Sequence, residues 1–162
     1  MSYPEYFEKI ARELKDIGHS DARIRFSRLD FGQETVEPRT KLDPTDFCLF
    51  VGFPEATIAD QRADNPHFYQ TVVMMVVKNA PDSKNYSAVN AIQEQAFDIA
   101  MQIFARIYED KCQGIIQGFD RNSIRSRELY QEPHKASCGH EFTFTLHRSL
   151  AKQMFYDSTR WQ

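Results

Sequence analysis

Apolar positions recur along this chain with two different periods, and the switches between them mark out its elements. Tyr6, Ile10, Leu14 and Ile17 form one stripe, which predicts a helix over Tyr3–Ile17. Ser2 is a candidate cap, Pro4 suits the first turn, and Gly18 suits the end. From Ala22 the period drops to two. Ala22, Ile24 and Phe26 alternate with Arg23, Arg25 and Ser27, predicting a strand over Ala22–Phe31 with one apolar and one basic face. A polar stretch with Pro38 and Pro44, Gly32–Asp46, leads to a second strand, Phe47–Phe53. The connection Pro54–Phe68 has few strand formers, and Tyr69–Lys78 follows as the third strand. The second and third strands are apolar at nearly every position, the pattern of strands buried on both faces.

The main helix is predicted over Ser87–Lys111, with Ser87 as its cap. Val89, Ile92, Ala96, Ile99, Ile103 and Ile107 form one stripe, and Phe97, Met101, Phe104 and Tyr108 form a second. At about 100° per residue the two together span roughly 220°. A helix lying on a core needs a stripe a little over about 100° wide. The first stripe is assigned to the sheet, and the second to the N-terminal helix or a neighbouring subunit. After Gly114 and Gly118, strands are predicted over Ser123–Tyr130 and Glu141–Arg148, joined by a turn over Gln131–Gly139. The order is α-β-β-β-α-β-β, an α+β single domain over residues 1–148 with a mostly antiparallel sheet covered on one face by two helices. Residues 149–162 are assigned to a C-terminal arm, in which Leu150, Met154, Phe155 and Trp161 are candidate partner contacts.

Composition narrows the function classes. The chain has 162 residues, 41% of them hydrophobic and 27% charged, which suits one globular domain. A formal net charge of −3 gives no general attraction to nucleic acid or anionic lipid, and no apolar run approaches the ~20 residues that span a bilayer. Three cysteines without framework spacing point to synthesis in a reducing cytoplasm.

Candidate chemistry is sparse. His134, Cys138 and His140 fall within seven residues and are good zinc ligand types, but a structural site needs a fourth ligand, which Cys112 or Cys48 would have to supply. The alternative is an ordinary turn between strands. Cys138 and His140 also form a possible nucleophile and base, the basis of an alternative reading as a small cytoplasmic enzyme. Arg121, Arg125 and Arg127 with Arg23, Arg25 and Arg28 suit either a phosphate or acidic-partner surface, or a solvated strand face. Asp43, Asp46, Asp60 and Asp64 match no calcium-loop pattern. There is no phosphate-binding loop, dinucleotide fingerprint or nucleophile elbow. No cofactor is expected, and a non-enzymatic role follows.

The surplus of apolar surface favours an oligomer. Phe97, Met101, Phe104 and Tyr108, with a polar row of Arg23 and Arg25, are the expected subunit contacts. An adaptor or chaperone that binds transiently is a further alternative. The order of elements resembles the tail terminator and neck proteins of tailed bacteriophages, with related folds in contractile injection systems. Gly118-Phe-Asp-Arg-Asn-Ser-Ile124, followed by Gly139-His-Glu-Phe-Thr-Phe-Thr-Leu146, is similar to the C-terminal part of phage-like structural proteins from Bacteroidetes-type hosts. The resemblance implies a virion subunit assembled in the host cytoplasm into a ring, typically a hexamer. That ring would cap the tail and meet tube, sheath or connector proteins. It implies no catalytic residue, and the net charge and short apolar runs give the expectation of no membrane partner and no sequence-specific nucleic-acid binding.

Overall fold

The computed structural model describes residues 1–29, 45–60, 66–80, 85–130 and 137–150. Its elements are α1 (Tyr3–Glu13), β1 (Phe26–Leu29), β2 (Cys48–Gly52), β3 (Ala56–Asp60), β4 (Pro66–Asn79), α2 (Tyr86–Cys112), β5 (Gly118–Leu129) and β6 (Ser137–Ser149). The order is α-β-β-β-β-α-β-β, an α+β domain that includes a strand the sequence pattern does not predict. The sheet runs β1-β2-β4-β6-β5, and β3 pairs with β4 beside β2. All neighbours are antiparallel except β1 and β2.

The helix ends follow local chemistry. The Ser2 hydroxyl accepts the Glu5 amide while the Glu5 carboxylate accepts the Ser2 amide, a reciprocal cap on α1. The helix stops at Glu13, short of the expected Ile17, and the chain turns so that the Ile17 and Gly18 amides both donate to the Leu14 carbonyl. Gly18 takes φ +58, where a side chain would be strained. The cap of α2 is Asn85, not Ser87, its side-chain oxygen accepting from the Ala88 amide at 3.1 Å.

Both helices pack on one face of the sheet. Leu49 and Val51 of β2, Val72, Met74 and Val76 of β4, and Phe142, Phe144 and Leu146 of β6 alternate into that core. Phe7 of α1 and Phe104 of α2 both meet Phe144, with ring centroids 6.2 and 5.1 Å apart. This arrangement explains the double stripe of α2. One stripe meets the middle of the sheet, and the other runs over β6 and β5. Phe104 is only 6% exposed and stacks on Phe119 at 5.9 Å. The expectation that Phe104 lies on a subunit surface is therefore corrected: β5 and β6 lie beneath the second stripe at this position and cover its ring.

The first strand is also corrected. The expected alternation from Ala22 is interrupted by a tight turn in which Ser20 and Arg23 exchange backbone hydrogen bonds. Only Phe26–Leu29 joins the sheet. Ile24 is exposed, whereas Arg25 is 6% exposed. The Arg25 guanidinium donates to the Ile17 carbonyl at 3.0 Å and to the Asp46 carboxylate, which compensates its desolvation. Arg25 is thus no part of a polar surface row with Arg23, which stays exposed. A helix-to-helix tie links α1 to α2 as well. Tyr6 Oη donates to Asp110 Oδ2 at 2.8 Å, and Arg106 Nε bridges both Asp110 oxygens at 2.9 and 3.0 Å.

Candidate functional site

The face of the sheet away from the helices is the candidate site. Side-chain alternation places Phe50 of β2 and Val73, Met75 and Val77 of β4 there, all half-buried. Register sets the rows across it. Phe50 opposes Met75, which opposes Glu141, which opposes Arg127. Gly52 opposes Val73, then Thr143 and Arg125. An apolar centre on β2 and β4 is thus bordered on β6 and β5 by threonines and charge. The Arg127 Nε to Glu141 Oε1 ion pair, 2.7 Å long, fixes that border. Arg121 departs from the row: its guanidinium sits 4.8 Å from the Tyr108 ring on the helix side.

One end of this face carries a ring cluster that the sequence pattern does not single out. Tyr69 stacks on His147 at 5.5 Å, and His67 lies 5.6 Å from His147. Gly118 opposes His147, whose ring occupies the space a side chain would need there. The segment that begins at Gly118 is explained by this geometry. Phe119 enters the core, and the chain then bulges out between Asp120 and Arg125. The Asp120 carboxylate accepts the Asn122 amide at 2.9 Å. The Ser123 hydroxyl accepts the Thr145 amide at 2.8 Å, standing in for the carbonyl displaced by the bulge.

The other predicted site residues fall elsewhere. Phe97 is 39% exposed, with its ring edge-on to His140 at 5.4 Å, and Tyr108 is 43% exposed under Arg121. Met101 is half-buried beside them. These three remain on the helix-side surface, apart from the open sheet face. Leu150, assigned to the arm, is buried, and its amide donates to the Pro66 carbonyl at 2.8 Å. The domain therefore extends past the expected boundary at 148. Met154, Phe155 and Trp161 lie outside the described residues, as do His134, Asp43 and Asp64.

Cys138 and His140 share the core-facing side of β6 but do not form a nucleophile–base pair. The Cys138 thiol points to the Lys78 carbonyl, 3.8 Å away, and burial pushes its pKa up. His140 stacks on Phe142 at 5.7 Å, and burial pushes its imidazole below the ordinary value, opposed by Glu128. Among the described residues no cluster of three or more His, Cys, Asp or Glu is placed to hold a metal ion. Of the three cysteines, Cys112 is exposed while Cys48 and Cys138 are buried. One thiol per chain is therefore expected to react quickly with a colorimetric thiol reagent in the native state, and all three after denaturation. Two fast native thiols would contradict the burial of Cys48 or Cys138.

The histidines give the fold a pH dependence of known sign. Burial also lowers His147, helped by His67 and Lys111 and opposed by Asp120. Both groups stay neutral in the folded chain at pH values where the unfolded chain takes up protons. Their stabilisation is complete above the unfolded value of about 6.5, and is lost as pH falls through the lower folded values. Melting at pH 5.5 is expected below that at pH 7.5, and His140→Phe is expected to reduce the difference. An unchanged melting temperature across this window would contradict the burial of both rings.

No protein-family model matches the chain, and neither does any curated protein sequence. No helix among the described residues is long and apolar enough to cross a membrane.

Proposed function

We propose that this chain is a structural subunit that assembles into a homo-oligomeric ring at the head-proximal end of a phage tail. There it would act as a tail terminator joining the tube to the neck. The observation that carries the reading is that, among the described residues, both helices cover the same face of the sheet. Phe50, Val73, Met75 and Val77 form an apolar centre on the face that neither helix touches. A neighbouring copy seated on that centre would remove it from water, and the charged border of Glu141, Arg127 and Arg125 would set the orientation. The resemblance in element order adds the virion context, and with it tube, sheath or connector proteins as partners.

Light scattering of the purified protein over a concentration series, alone and with isolated tail tubes, tests the reading. A ring-sized mass, alone or on tubes, is the expected result. Met75→Lys is expected to abolish that mass while leaving the circular dichroism spectrum unchanged. A chain that stays monomeric at every concentration and ignores tubes would overturn the reading.

A further inference from the structure

We propose that the outer edge of β3 is a strand-addition site for a second copy of this chain, the two β3 strands pairing antiparallel about a two-fold axis at Ile58. The hydrogen-bond pattern exposes this edge. The Thr71 amide donates to the Glu55 carbonyl at 2.9 Å, so Glu55 and Thr71 are a bonded pair of the β3–β4 ladder. Bonded and non-bonded pairs alternate in an antiparallel ladder. Thr57–Tyr69 and Ala59–His67 are therefore bonded pairs, and Ala56, Ile58 and Asp60 turn their N–H and C=O groups away from β4. Pro66 agrees with this assignment: it opposes Asp60, and its carbonyl accepts from Leu150 on the far side. Along that edge Ala56, Thr57, Ile58 and Ala59 are all exposed, Ile58 at 63%.

The edge is not blunted in the way the opposite one is. Edge strands are commonly protected by charge, bulges or proline. At the far side of the sheet β5 carries a bulge and Arg121, Arg125 and Arg127. From Ala56 to Ala59, β3 carries neither charge nor proline, and Asp60 at its end is the one charged residue of the strand.

The edge is also complementary to itself. With Ile58 opposite the partner's Ile58, the outward-turned residues of the two strands face each other. Ile58 forms one bonded pair with its equivalent, and Ala56 pairs with the partner's Asp60 in both directions. Small residues flank the axis, and the acidic position never meets itself. Ile58 opposes Phe68, which opposes Arg148, whose guanidinium lies 5.1 Å from the Phe68 ring. Pairing would extend this row across the axis into one apolar run, Phe68–Ile58 followed by the partner's Ile58–Phe68. The contact uses neither the open sheet face nor the ring reading.

Residue-resolved amide exchange on the full chain, measured over a concentration series, tests the proposal. Thr57 and Ala59 amides are expected to be protected at all concentrations. Ala56 and Ile58 amides are expected to gain at least tenfold protection as concentration rises. Ile58→Pro deletes only an outward-facing N–H and is expected to weaken self-association at least tenfold by sedimentation equilibrium. Ile58→Lys serves the same purpose if the proline perturbs the hairpin. Free exchange of Ala56 and Ile58 at the highest concentration would overturn the proposal, as would variants that associate like the wild type. Met75→Lys is expected to leave this pairing intact, so loss of the ring and loss of the β3 contact are separately visible.

Discussion

Phe104→Ala is expected to lower stability by about 3–5 kcal/mol, which for a domain of this size is a fall in melting temperature of roughly 6–20 °C. The ring is at the centre of an aromatic group. It stacks on Phe119 and meets Phe142 and Phe144 edge-on at 5.4 and 5.1 Å. Truncation leaves a cavity bounded by stiff rings on β5 and β6, which cannot collapse without moving both strands. Self-association well below the melting temperature is expected to be unchanged, because the side chain reaches no surface. A variant that melts like the wild type but has lost its assembled mass would show that this stripe faces a neighbour after all.

Asp110→Ala is expected to cost about 2–4 kcal/mol, chiefly by leaving a buried hydroxyl unpaired. The carboxylate is 2% exposed and is shared by Tyr6 and Arg106. Burial, and then the hydrogen bond to Asp110, push the Tyr6 hydroxyl far above its ordinary pKa, so it stays a donor at every working pH. Arg106 also reaches Glu13 at 3.0 Å and is partly solvated, so it loses less when Asp110 is removed. Tyr6→Phe removes the donor with the acceptor still held by Arg106, and is expected to cost about 1 kcal/mol. A double-mutant cycle by chemical denaturation should show strong coupling between the two positions. Additive losses would mean that the hydrogen bond does not join the helices in solution.

Legibility in the sequence followed solvent exposure. The helices and β2, β4 and β6 each bury a regular face, and their periodicity is plain from Tyr6–Ile10 to Phe142–Leu146. β3 escaped because Ala56–Ala59 is exposed on both faces and so carries no alternation. The burial of Arg25 is hidden from the sequence because its partner, Asp46, is distant along the chain and comes close only in the fold. Asp110 carries no signal in the sequence for the same reason: its partner Tyr6 lies 104 positions away. The apolar arc on α2 is legible in the sequence, but the width of the sheet beneath it depends on strand order, which local pattern does not encode. The open face is half legible: the doubly apolar pattern of β2 and β4 marks a second apolar side, whereas the charged border on β5 and β6 emerges from register alone.

The position of β6 has a consequence for how the chain is made. This strand is the last described element in sequence, yet it lies between β4 and β5. Its ladder runs from His67–Ser149 to Asn79–Ser137, so both ends join distant parts of the chain. While a ribosome is still producing residues before Ser137, β4 lacks a neighbour along one edge and β5 has none. The apolar strand Val72–Val77 is then exposed together with the unfilled half of α2. The domain therefore closes only after synthesis has passed β6, and a nascent chain stalled earlier presents a long, sticky edge of the kind chaperones shield.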